Sequence, residues 1–145
     1  MWIVQGLLAG VLAGIGMIVV SEAGYRSGII KSHLVVVDGS VAVKLLKITP
    51  TIMFIYSFGI IIHLCTGAVF GIVYTGLAYY LEFDVHLLLA FSLYILLLWL
   101  AMLFIALPVA GQGFSGNRLG KYTWFEQFIL HCIYGLVFWW SLYLL

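Results

Sequence analysis

Two histidines lie inside long apolar stretches of this chain, and each keeps the same company. His63 is followed by Gly67 and Phe70, and His131 by Gly135 and Phe138, so the order histidine, glycine, phenylalanine recurs at equal spacing. Residues four apart share a helix face, so each glycine leaves space beside its ring. Two imidazoles on different helices, turned toward one interior, are what bis-histidine ligation of a b-type haem requires. His63 and His131 are thus candidate metal ligands, and Gly67 and Gly135 would make room for the macrocycle. Arg118, Lys121 and Lys47 are the groups available to hold propionates, and a quinone site nearby would suit such a protein. Cys65 and Cys132 neighbour the histidines. Residues one or two apart point to different helix faces, so the cysteines read as small apolar packing groups. With no nucleophile–base pair at usable spacing and no three-ligand cluster, a soluble-type enzyme is not expected.

The elements that hold these residues follow from composition. Of 145 residues, 66% are hydrophobic and 8% charged, against roughly 45–50% and 25% in a soluble domain. Lipid must therefore be the solvent. A span needs about 20 apolar residues, and four fit: about 2–21, 51–80, 87–107 and 122–145. They fill one domain, an all-α, integral membrane four-helix bundle. The first run lacks a basic stretch ahead of it and exceeds a signal peptide's apolar core, so it reads as retained. All six basic residues fall in two loops: Arg26, Lys31, Lys44 and Lys47 in the first, Arg118 and Lys121 in the third. Lys and Arg mark the cytoplasmic side. The expected topology is a multi-pass protein of a bacterial or archaeal cytoplasmic membrane, with both termini outside and loops 22–50 and 108–121 inside. The net charge of +1 gives no reason to expect nucleic acid.

Finer expectations follow along the chain. Gly6, Gly10 and Gly14 form a stripe on span one, and Gly67 and Gly71 a shorter one on span two. Such stripes let helices approach closely in lipid, within the bundle or against another subunit. Glu22 and Arg26 are spaced for an interfacial ion pair. In loop one, Asp38-Gly39-Ser40 reads as a helix start, with Val41, Lys44, Leu45 and Lys47 on turns lying at the membrane surface. Pro50 should close that segment, letting a long, tilted or protruding span two begin. Pro108 should end span three, and Gly111–Gly116 should be a flexible turn, since a phosphate-cradling loop needs a following lysine in a strand-to-helix setting. Trp139, Trp140 and Tyr143 form an outer aromatic belt.

The shared pattern around His63 and His131, with a loose echo between the ends of spans one and three, suggests a duplicated helical hairpin with an axis along the membrane normal. His131 then lies about 13 Å into its span at ~1.5 Å per residue, and His63 slightly deeper. Ionisable residues at such depth usually face the bundle interior. The residues His63, Gly67, Phe70, Gly71 and Tyr74, with His131, Tyr134 and Gly135, resemble the pattern of a family of small four-span bacterial and archaeal membrane proteins of unknown function. The Pro108–Gly116 segment is also similar. The resemblance implies a four-helix membrane fold and no activity.

Three functions remain open. The first is a non-catalytic subunit of a larger membrane complex, touching lipid and either other membrane subunits or further copies of itself. Its histidines would be hydrogen-bonded inside the bundle, to Thr66, Tyr56 or a backbone carbonyl. The second is electron transfer by one haem b between His63 and His131. The third is a small oligomeric transporter or channel, for which Glu126, Gln127 and the histidines are the intramembrane polar candidates.

Overall fold

The computed structural model describes residues 1–47, 49 and 51–145; the expected role of Pro50 lies outside the described residues. Four apolar runs form helices long enough to cross a membrane: α1 (Trp2–Arg26), α3 (Ile52–Tyr80), α4 (Leu88–Val109) and α5 (Thr123–Leu144). A shorter helix, α2 (Leu34–Leu46), stands between α1 and α3. The chain is an all-α bundle and a multi-pass membrane protein. Its outward residues agree with that: Leu7, Ile15, Val69, Leu93, Leu97 and Leu136 are all exposed, a surface that only lipid tails solvate well.

α1 and α3 form a close antiparallel hairpin. Gly6 lies against Gly71, and Gly10 against Gly67, with backbone facing backbone. The glycine stripes are therefore used inside the chain, where small residues let helices meet without a hydrophobic drive. α5 packs on the other side of α1, and α4 lies against α5. Tyrosines tie together the half away from the basic residues, each hydroxyl donating to a backbone carbonyl of another segment. Tyr94 reaches Phe70 at 2.7 Å, Tyr134 reaches Gly67 at 3.1 Å and Tyr74 reaches Val85 at 2.9 Å. Around them Tyr74, Phe91 and Phe138 pack ring on ring. The two hairpins thus pack differently: one is glycine-backed and carries α2, the other is looser.

Several boundaries differ from expectation for physical reasons. α1 continues past residue 21 to Arg26, held by an i,i+4 contact of 2.7 Å between Arg26 Nε and Glu22 Oε1. Pro108 does not end span three. The helix widens into a π turn over Met102–Ala106, which accommodates a residue that has no N–H and crowds the preceding turn. α4 ends at Val109, and Gly111 just beyond it takes a φ of +82° that suits glycine. The loop beyond is braced by Arg118, which donates to the Gly111 carbonyl at 2.9 Å.

The largest correction concerns loop one. Its helix starts at Leu34, ahead of Asp38, and does not lie on the surface. His33 caps it by accepting the Val36 N–H at 3.4 Å. Leu34, Val35, Val37, Gly39 and Ala42 are buried. Gly39 meets the Ile55 carbonyl and Gly59 meets the Val35 carbonyl, so α2 runs antiparallel along the first half of α3. A segment this apolar gains more by burial against α3 than by lying half-wet at the interface.

Candidate functional site

Asp38 is the one ionisable residue among the first ten of α2. Its position on the second turn, on the face toward α3, carries it into the bundle. There its Oδ2 accepts a hydrogen bond from His63 Nδ1 at 2.8 Å. The side chains are only 12% (His63) and 16% (Asp38) exposed. His63 lies about 16 Å along α3 from its first residue at ~1.5 Å per residue. With Nδ1–H committed to the carboxylate, the neutral ring carries a lone pair on Nε2. That nitrogen is buried and has no partner among the described residues.

His131 lies on the opposite helix, within electrostatic range of both His63 and Asp38. Its Nδ1 donates to the Gln127 carbonyl at 2.8 Å, one turn back on α5. Gln127 is fully buried. Its Nε2 donates to Ser32 Oγ at 3.0 Å, and Ser32 Oγ donates to Glu126 Oε2 at 2.8 Å. The same carboxylate oxygen accepts the backbone N–H groups of Lys31 and Ser32 at 3.2 and 3.0 Å. Gln127 Oε1 is a second buried acceptor with no partner among the described residues.

A third cluster closes this layer. His33 accepts at Nδ1 from the α2 cap, so its proton is on Nε2. That nitrogen faces Glu22 Oε2 at 3.1 Å and the Tyr56 hydroxyl at 2.9 Å. Glu22, expected only to pair with Arg26, thus accepts from both Arg26 Nε and His33 Nε2. Polar groups from α1, α2, α3 and α5 meet in one half of the bundle. It is also the half with the basic residues: Lys44 Nζ donates to the Ala110 carbonyl at 3.0 Å, and Lys31 lies beside Glu126.

The candidate residues from the sequence separate. His63 and His131 both turn inward, and each spends Nδ1 on an acceptor. Gly67 does not flank an open space, because Gly10 and Gly14 of α1 fill it, with the Gly10 carbonyl 2.8 Å from where a Cβ would stand. Gly135 faces Ile95 on α4, whose side chain comes within 3.1 Å of such a Cβ. A cavity of about 560 Å³ does touch His131 and Gly135, but it lies between α4 and α5 and does not reach His63. Gly67 is met by α1 and Gly135 by Ile95, and the cavity beside His131 is not shared with His63. Among the described residues no three or more histidines, cysteines or acids gather as metal ligands. Cys65 and Cys132 face outward.

Asp38, Ser32, His33 and Tyr56 were not singled out as a site by sequence. The signal was present: an acid between Val37 and Gly39, inside a run with no other charge from Leu34 to Val43. The chain matches no known protein family, no curated protein and no solved structure. The geometry must speak for itself.

Proposed function

We propose that this chain is a non-catalytic subunit of a larger membrane complex, and that it supplies the complex with a proton-binding pair inside the bilayer. One observation carries the reading: Asp38 is delivered to His63 at 2.8 Å, leaving a buried His63 Nε2 with no partner among the described residues. Ionisable groups at membrane depth are costly and mark ion paths or relays by default. A proton arriving at Nε2 makes an imidazolium that the adjoining carboxylate stabilises. Ser32, Gln127 and His131 supply hydrogen-bonding groups between that pair and the basic end. At the end away from the basic residues, the hydroxyls of Tyr74, Tyr94 and Tyr134 each donate to a backbone carbonyl and are not free to donate onward. That favours a dead-end binding site serving a neighbour over a channel through the single chain.

The same reading takes the basic end as cytoplasmic and both termini as external, in a bacterial or archaeal membrane. It keeps the chain in the small four-span family on the strength of His63, Gly67, Phe70, Gly71, Tyr74, His131, Tyr134 and Gly135. The subunit role is tested by extracting the tagged protein from native membranes directly into lipid nanodiscs. A second polypeptide at fixed stoichiometry is the expected result. A homogeneous particle of this chain alone contradicts the subunit role. Proton binding is tested on the same material by potentiometric titration, in which the Asp38→Asn, His63→Gln variant should take up less than the native chain.

A further inference from the structure

The cavity between α4 and α5 is an apolar slot of about 560 Å³ with aromatic walls, including Phe91, Trp99, Phe128 and Trp139. Two polar side chains interrupt it, the Ser92 hydroxyl and the His131 imidazole. His131 lines the slot while only 8% exposed. Its Nδ1 faces a backbone carbonyl, the Gln127 oxygen at 2.8 Å. A carbonyl can only accept, so Nδ1 must carry the hydrogen. In the neutral ring Nε2 is then a pure acceptor. It has no hydrogen-bond partner among the described residues, and its ring forms part of the slot's wall.

We infer that this slot binds a membrane-soluble aromatic alcohol, a phenol or quinol with an apolar tail, whose hydroxyl donates to His131 Nε2. Three features select that class. The apolar, aromatic lining takes a flat ring and excludes a charged headgroup, which would lose its hydration there. The slot opens to lipid between two loosely packed helices, so the ligand enters from the bilayer. Finally, the fixed tautomer rejects any ligand lacking a donor, because a buried acceptor would stay unpaired. A quinone, an ether or a plain acyl chain fills the space without satisfying the nitrogen. The inference stands apart from the proton-binding role of Asp38 and His63, and neither result decides the other.

The test uses para-decylphenol and its methyl ether, which differ only in the hydroxyl hydrogen. Binding to the full chain in nanodiscs is read from the fluorescence of Trp99 and Trp139 and from the nitrogen-15 signal of His131 Nε2. The phenol should bind about tenfold tighter than the ether, about 1.4 kcal/mol, and should shift Nε2. His131→Phe should abolish the preference while leaving weak binding of both. Cys132→Trp, at an outward-facing wall position, should weaken both equally. Equal affinity of phenol and ether, an unmoved Nε2 signal, or a preference that survives His131→Phe would overturn the inference. Displacement of neither probe by quinol but of both by excess phospholipid would mark the slot as an acyl-chain groove.

Discussion

Replacing glycines of the α1–α3 seam by alanine should give losses that follow the depth of contact and not position along the helix. At Gly14 a methyl group would find Leu64 Cδ2 at 3.4 Å and a His63 ring carbon at 3.7 Å, ordinary contacts with movable side chains. Gly14→Ala should therefore be neutral, or gain the roughly 0.5–1 kcal/mol that alanine has over glycine within a helix. At Gly67 the methyl would stand 2.8 Å from the Gly10 carbonyl oxygen. A carbon–oxygen contact prefers about 3.3 Å or more, so the helices must part by ~0.5 Å, and the propensity gain is roughly cancelled. At Gly10 the methyl would press directly on the Gly67 carbonyl, closer still, and that carbonyl also accepts from Tyr134. Forced repacking of this kind costs about 1–3 kcal/mol, so Gly10→Ala should lose about 1–2 kcal/mol after the propensity gain. Equilibrium unfolding in mixed micelles, followed by tryptophan fluorescence, ranks the three. Equal losses at Gly10 and Gly14, or a stabilised Gly10→Ala, would refute the packing argument.

Three other outcomes are expected. Removing His63 strands a buried carboxyl, so His63→Ala should cost about 3–5 kcal/mol, whereas Asp38→Asn keeps an acceptor for Nδ1–H and should cost about 1 kcal/mol; the same unfolding assay checks the order, and the reverse ranking contradicts the pairing. Glu126→Ala removes the acceptor shared by Lys31 N–H, Ser32 N–H and Ser32 Oγ, so hydrogen exchange at those two amides should accelerate while the centre of α3 keeps its protection. With Cys65 and Cys132 replaced by alanine, a cysteine introduced at Lys121 should react with an impermeant reagent only from the cytoplasmic side, and one at Leu145 only from outside; the opposite labelling overturns the orientation.

The four spans were readable because lipid imposes a length and a composition on each. Their interior was readable in part. The glycine stripe announced a close approach, and His131 found the backbone carbonyl that a buried imidazole needs. Two features misled. Asp38-Gly39-Ser40 carries the residue types of a helix start, yet the helix begins earlier and the cap fell to His33, whose ring accepts the Val36 N–H. Pro108 reads as a stop, yet a π turn before it absorbs the missing donor. Both are cases where tertiary context overrode a local signal. The pairing of Asp38 with His63, twenty-five residues apart, depends on α2 turning back along α3, and no local pattern encodes that turn. The recurrence of histidine and glycine drew attention to the right rings, and the glycines are met by α1 and α4.

The most direct test of the proton-binding site is solid-state NMR of the chain in bilayers, with nitrogen-15 in histidine and carbon-13 in the aspartate carboxyl, as a function of pH. The account predicts that proton uptake at the pair is seen in both the His63 ring nitrogens and the Asp38 carboxyl carbon, and that Asp38→Asn changes the His63 signals. Signals that never move while the fold persists, or that move independently of each other, would contradict it and leave the pair as a pin between α2 and α3.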